Sequence, residues 1–413
     1  MFTFKEHLIT LSTLAKAIAE SPTLKLNEEA QKLRERGEAV INMGVGEPKN
    51  KAPIAAILGG AARLSGGDIK YSPTDGIPSL KKAILRYTEE NYDKIVSPDN
   101  IIVSSGAKQA IFNALYAILN PQDEVIILAP YWVSYPEMIK MCYGVPVVVT
   151  PENGRFQPTI QEIEEVISSR TKAIIVNSPN NPSGAVFTPE LVSQIVELCE
   201  RKNIYIITDD IYHKLVFDGK TAAPALKYAK KDFENGNIIV INGIAKLYGM
   251  TGFRIGWAVA PKEMVQVMTN IQVQTTSCVS VVLQSAAEGA LNGLQSTVEA
   301  LRLTIQNNRD VMYQELKAFD GVKVARPDGT FYIFPDFRAY NKSSVELASY
   351  LLKKALVVVV PGREFGLEGH VRLSYTGSIK DITDSVARMK WALDPNSPNE
   401  IYIGDRKLIR DWV

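Results

Sequence analysis

The chain has 413 residues, 46% apolar and 22% charged, the balance of a protein that can bury a large core across two to three domains. Lys and Arg total 46 against 45 Asp and Glu, and this net charge of +1 argues against a dedicated nucleic-acid binder while leaving room for a local anion pocket. Cys142, Cys199 and Cys278, like His7, His213 and His370, are widely spaced, which points to a reducing compartment and excludes a disulfide scaffold and a Cys/His metal cluster.

In chain order, residues 1–13 do not read as a secretory signal, and no apolar run approaches bilayer length, so a cytoplasmic chain with no membrane partner is expected. The stretch from Leu24 to Gly37 reads as a helix with Gly37 as its stop signal. Residues 39–43 read as a strand that ends in the loop Gly44-Val45-Gly46-Glu47-Pro48. From about 100 to 261, apolar runs at 101–103, 124–128, 145–149, 172–176, 204–207, 238–241 and 255–260 alternate with amphipathic helices at 110–119, 160–168 and 189–201. The runs are β-branched and lack polar alternation, as strands covered on both faces do. This predicts an α/β unit with a mostly parallel sheet flanked by helices, and catalytic groups at the carboxyl ends of its strands.

A long helical region is expected from Pro261 to about Phe319. Strands at 321–325, 330–334 and 357–360, with helices near 345–354 and 379–393, then suggest a smaller α+β domain. The domains read as 50–290 for the large α/β unit, 1–49 with 291–394 for the small one, and 395–413 as a C-terminal extension.

Five loops carry chemistry. Gly44-x-Gly46 lacks the third glycine of a dinucleotide loop and opens no helix, but Gly46 allows close backbone approach to a ligand. Ser104-Ser105-Gly106-Ala107-Lys108 joins a strand to a helix, so its N–H groups can face an anion; a plain tight turn has the same look. Asn177 through Gly184 is rigid and polar, with two prolines fixing an Asn amide. Asp209-Asp210 at a strand end suits a metal ion, a protonated heterocycle nitrogen, or a helix cap. Lys246 follows a buried strand among small and apolar residues, where desolvation frees its amine as a nucleophile, and Arg254 lies eight residues on between Gly252 and Gly256. An imine-forming lysine, an anion cradle, a phosphate arginine, a carboxylate for a ring nitrogen and a hydrogen-bonding Asn are what pyridoxal 5′-phosphate requires.

With Gly46-Glu47-Pro48, Tyr71 through Gly76, Pro130-Tyr131-Trp132, Asp209 with Tyr212, Lys246 through Arg254 and Val371-Arg372-Leu373-Ser374, the chain resembles the class I/II aminotransferases of fold type I from about Ser21 to Leu393, most of all the bacterial aspartate/prephenate group. The resemblance implies that Lys246 binds the cofactor aldehyde and moves the proton at the substrate α-carbon. It implies that Asp209 pairs with the ring nitrogen, that Asn181 and Tyr212 bond the ring oxygen, and that Trp132 stacks on the ring. Gly106, Ala107, Lys108 and Arg254 would hold the phosphate, and Tyr71 would reach that of a neighbouring subunit in a homodimer. Arg372 would clamp the α-carboxylate, with Gly46, Trp132 and Asn181 beside it. Lys246, Asp209 and Tyr212 are the implied catalytic residues.

Lys108 and Thr23 would bind a distal carboxylate, which implies an acidic donor, aspartate or glutamate, and an oxo acid such as 2-oxoglutarate, oxaloacetate or prephenate. A solvated lysine at the helix start is the other reading of Lys108. A neutral, aromatic or basic donor, or a lyase or synthase of the same fold, is the alternative activity; an aminotransferase-like regulator would need a DNA-binding domain ahead of Gly44. Four positions depart from the family pattern: Ala245 and Gly243 replace serines before the lysine, Asp210 replaces Glu, and Lys49 replaces Asp, which would put a cation near the substrate entrance. Arg363 is a further cation in a loop that borders such sites.

Overall fold

The structure is a computed structural model that describes residues 11–19, 22–403 and 406–409. Helix Pro22–Glu35 forms where expected and leads through Gly37, at φ +82°, to strand β1 (Ile41–Asn42), shorter than the expected run. The next seven strands build the main sheet: β2 (Ile101–Ser104), β3 (Glu124–Leu128), β4 (Val145–Val149), β5 (Thr171–Val176), β6 (Tyr205–Asp209), β7 (Ile238–Gly243) and β8 (Gly256–Val259). Then come β9 (Tyr332–Ile333), β10 (Val357–Val358), β11 (Val360–Pro361), β12 (Val371–Ser374), and a hairpin of β13 (Glu400–Ile403) and β14 (Arg406–Ile409).

The main sheet runs β2-β8-β7-β6-β5-β3-β4. Every ladder from β7 to β4 is parallel, and β8 is antiparallel to both β2 and β7. The absence of polar alternation has a direct cause. Ile174, Ile206 and Val240 belong to one buried cluster, whereas Ile175, Ile207 and Ile239 belong to another, so neighbours along one strand pack on opposite faces. The edge strand β4 departs from this expectation. It is only half-buried and leaves Val148 exposed, whereas β2, at the other edge, is buried throughout.

Helix Ala107–Ile118 buries Ala110, Ile111, Ala114, Leu115 and Ile118, the helical spacing seen in the sequence. The helix expected at 160–168 is shorter, Ile160–Glu164, with a capping box between Thr159 and Glu162. The long helical region after Pro261 is three helices, Lys262–Thr275, Val281–Asn292 and Ser296–Lys317. Ser277, in the left-handed region at φ +59°, turns the chain after the first, and Gly293 follows the second.

Beyond Phe319 the ladders are short. β1 pairs with β10 in parallel, and β11-β12-β9 form an antiparallel sheet. The strand expected at 321–325 is reduced to one bridge, Lys323 with Asp336, although Val322 and Val324 pack on the core. Helix Ser344–Tyr350 continues as a π-helical turn, Leu351–Ala355, and ends at Leu356 at φ +56°. Within the C-terminal extension, Leu408 packs on the cluster of Ala30, Val40, Leu352, Leu356 and Val358, and the Trp391 indole N–H donates to the Pro398 carbonyl at 2.8 Å.

Strand β6 lies at the centre of the sheet, and Ile206 on it is fully buried. Ile206→Ala is expected to cost about 2–5 kcal/mol, read as a lowered urea midpoint at unchanged slope; a loss below about 1 kcal/mol would contradict this placement of the core.

Candidate active site

The loops after β2, β5, β6 and β7 meet around a cavity of about 860 Å³, into which Arg372 of β12 also reaches. Lys246 follows β7 and donates from its amine to the Gly46 carbonyl at 2.5 Å. Burial, reinforced by the neighbouring Arg372 charge, lowers its pKa to about 8.

Asp209 ends β6 and lines the cavity. The Tyr135 hydroxyl donates to its Oδ2 at 2.7 Å, while Oδ1 is buried with no partner among the described residues. Burial raises the pKa of this carboxyl, opposed by the Tyr135 bond and the Ile211 N–H. A buried acceptor of this kind calls for a donor from a ligand. Asn177 braces the same point: its amide donates to the Asp209 carbonyl at 2.8 Å, and its Oδ1 accepts from the Asn181 N–H at 2.9 Å.

Arg372 is 3% exposed. It donates to Asn181 Oδ1 at 3.0 Å and to the Gly44 carbonyl at 2.8 Å, and lies over the rings of Tyr332 at 4.4 Å and Phe365 at 5.0 Å. Among the described residues it has no ion pair, and its Nε has no partner. Burial lowers its pKa, but a guanidinium stays charged. A ligand carboxylate would match it.

On the opposite side Gly106, at φ +84°, precedes helix Ala107–Ile118. A Cβ on Gly106 would sit 2.6 Å from a terminal nitrogen of Arg254, and one on Gly256 would sit 2.3 Å from the Ala107 nitrogen. The two glycines keep open a cradle of helix N–H groups and a guanidinium, a fit for a phosphate. Arg254, itself at φ +55°, is held by the Thr251 carbonyl at 2.9 Å. The Lys108 amine lies 4.9 Å over the Trp132 ring, and burial followed by Arg254 lowers its pKa. The residues present therefore fit pyridoxal phosphate at aldehyde, ring nitrogen and phosphate.

Of the expected site residues, Gly46, Ala107, Lys108, Trp132, Asn181, Asp209, Tyr212, Lys246, Arg254 and Arg372 line this one cavity, and Gly106 borders it through Arg254. Tyr71 is 89% exposed and does not line it. The Thr23 side chain falls outside the described residues. Lys49 pairs with Asp381 at 3.7 Å instead of lining the cavity, because the loop turns it toward the start of helix Ile379–Leu393. Arg363 does line it. Tyr135 and Tyr332 were not singled out in the sequence. Tyr332 places its hydroxyl 3.3 Å from that of Tyr212 and only 2.7 Å from where a Gly46 Cβ would stand.

Asp210 is separated from its neighbour. It is buried, and burial together with the Asp209 charge raises its pKa to about 7 despite the Tyr92 and Thr208 hydroxyls. Next to it, His213 Nδ1 donates to the Asp210 carbonyl at 2.8 Å and Nε2 accepts from Tyr87 at 2.9 Å. Burial lowers the His213 pKa to about 3. Among the described residues no group of three or more His, Cys, Asp or Glu could hold a metal ion, and no helix is long and apolar enough to cross a membrane.

Residues 38–389 match the family model for aminotransferase class I and II. The probable aspartate/prephenate aminotransferase of Aquifex aeolicus is 38% identical over 391 residues, 93% of this chain and 98% of that protein. The aspartate/prephenate aminotransferase of Thermus thermophilus is 37% identical, over 93% of this chain and 98% of that protein. Among solved structures, aspartate aminotransferase from Thermus thermophilus with maleate superposes with a TM-score of 0.89 at 36% identity, covering 94% of this chain and 100% of that one. The Thermotoga maritima aspartate aminotransferase gives 0.86 at 35% identity, covering 92% and 99%.

Asp210 and His213 oppose each other in pH-dependent stability. Asp210 has a folded pKa of about 7 against an ordinary 3.8, so between about pH 4 and 7 the folded chain holds a proton that the unfolded chain lacks, and acidification stabilises. His213 has a folded pKa of about 3 against 6.5, so the unfolded chain binds the extra proton below 6.5 and acidification destabilises. Calorimetric melting of the apoprotein at pH 4.5 and 7 should show His213→Gln gaining stability toward acid relative to the parent chain, and Asp210→Asn losing it. Identical pH slopes in all three chains would contradict the assignment.

Proposed function

The chain belongs to the class I and II aminotransferases, and on that premise we propose that it transfers the amino group of aspartate or glutamate to a 2-oxo acid such as 2-oxoglutarate, oxaloacetate or prephenate, with pyridoxal 5′-phosphate as cofactor. The observation that carries this reading is the pairing, in one cavity, of the buried Arg372 guanidinium with the Lys246 amine at a pKa of about 8. When bound, the cofactor supplies an electron sink for the substrate α-carbon.

The protein's part follows from its own side chains. Asp209 Oδ1 would hold a proton on the ring nitrogen, and Tyr212 and Asn181 would bond the ring oxygen. Ala107, Lys108, Arg254 and the opening kept by Gly106 would hold the phosphate. Arg372 takes the α-carboxylate as a bidentate pair, which fixes the orientation of the Cα–H bond. With a pKa of about 8, the Lys246 amine both accepts and returns that proton near neutral pH. The acidic donor is supported by the relatives' names, by the maleate in the Thermus thermophilus structure, and by Lys108 at the cavity wall.

We assign residues 50–290 to a large cofactor domain, 1–49 with 291–394 to a small one, and 395–413 to an extension. The active unit is a homodimer with Tyr71 reaching the neighbouring site. In support, helix Ile54–Ser65 exposes Ile54 (71%), Leu58 and Leu64, and Tyr71 lies close by in sequence. A reducing, cytoplasmic setting is supported by three free cysteines, two of them buried with thiol pKa values pushed up to about 12 by burial.

The holoprotein should absorb near about 360–430 nm and shift to about 330 nm with aspartate, without ammonia release. Lys246→Ala should lose at least about a thousandfold in turnover with unchanged circular dichroism, as loss of the group that carries the proton implies. A shift with neutral donors alone, or ammonia release, would favour the alternative activities, and full activity without Lys246 would end the reading. In sedimentation the chain should run at twice its monomer mass, and Leu58→Glu should release monomers; a monomeric parent chain would refute the dimer.

A further inference from the structure

We propose that Arg363 is a specificity-determining residue that holds the second carboxylate of a dicarboxylic substrate at the mouth of the cavity. The proposal rests on the transamination reading above and extends it to a residue that the cofactor and the α-carboxylate leave free.

Arg363 lies on the short turn Gly362–Phe365, which is anchored at both ends. The Gly362 N–H donates to the His370 carbonyl at 2.7 Å, the Arg363 N–H to the Ser344 hydroxyl at 3.2 Å, and the Tyr131 N–H to the Phe365 carbonyl at 3.1 Å. The last bond ties the turn to the segment that carries Trp132. Phe365 packs under the Arg372 guanidinium, 5.0 Å from its ring centre, while Arg363 lines the same cavity from the same turn. One rigid element thus buttresses the cation for one carboxylate and presents a second cation.

The nearby carboxylates Glu364 and Glu368 feel that charge without forming an ion pair with it. Glu137 is bonded to the Lys140 amine at 2.9 Å and the Ala19 N–H at 3.1 Å. Glu368 accepts from the Ser344 N–H at 2.7 Å and the Gly369 N–H at 3.0 Å. Glu364 adjoins Arg363, yet among the described residues the guanidinium forms no ion pair with it or any other group. An exposed guanidinium that keeps its fork of donors free is suited to a bidentate carboxylate.

The test uses the holoprotein and two variants, Arg363→Gln and Arg363→Lys. Calorimetric binding of succinate, a dicarboxylate with no amino group, should weaken about tenfold or more in Arg363→Gln, the loss of one charge-assisted contact. The KM for aspartate and glutamate should rise by a similar factor with kcat within about twofold, alanine kinetics should stay unchanged, and the Lys variant should recover part of the loss. Unchanged succinate affinity, or an equal fall for alanine, would overturn the proposal. If the parent chain transaminates no amino acid, the proposed function falls on that result, and the succinate comparison still decides the role of Arg363.

Discussion

A buried positive charge that no carboxylate among the described residues pairs with is the constraint around which the site is built. Arg372 is enclosed by groups from four places in the sequence: Gly44, Asn181, Tyr332 and Phe365. Burying such a charge costs several kcal/mol unless it is paired. The chain meets part of that cost with carbonyl acceptors and aromatic faces. These orient the guanidinium without neutralising it, so its affinity for an anion is kept. The ordered loop of prolines at 177–184 and the short ladders of the small sheet make sense as supports for this single group.

The same guanidinium acts on the lysine opposite. Its field adds to desolvation in lowering the Lys246 pKa, whereas Glu47 and, more weakly, Asp209 work in the other direction. The amine is thereby set near neutrality by groups that each have another task, one toward a carboxylate and one toward a ring nitrogen. Removing Arg372 or Asp209 would shift the lysine and removing Lys246 would shift Asp209, while the guanidinium stays charged throughout.

Much of this was legible in the sequence, and for identifiable reasons. Unbroken β-branched runs mark strands, so β3 and β4 lie on the predicted residues, although only β3 is covered on both faces. Loops at strand ends carry unusual residues, and Asn181, Asp209, Lys246 and Arg254 stood out for that reason. Tyr332 did not, because Phe331-Tyr332-Ile333-Phe334 has the composition of core and a hydroxyl's destination is not encoded locally. Tyr135 sits three residues after Trp132 and is visible only once a helix over Ser134–Met141 brings it beneath Asp209. Lys49 misled for a related reason: its partner, Asp381, lies more than three hundred residues away. Short ladders such as that of residues 321–325 depend on a partner strand, and local pattern does not report its length.

The adjacency of Asp209 and Asp210 has a consequence for how the chain must fold. The two carboxylates sit at successive positions of β6 and its continuation, so the pleat sends one to the cavity and the other to Tyr92. A slip of one residue in the pairing of β6 would exchange them. The pairing of Ile206 with Ile238 and of Asp209 with Ile241, with Ile206 and Ile207 locked into opposite cores, therefore selects a reagent as well as a packing arrangement. In most strands misregister is an error of burial, but here it would also be an error of chemistry, because the acid offered to the ring would come with a different set of hydrogen-bonding partners.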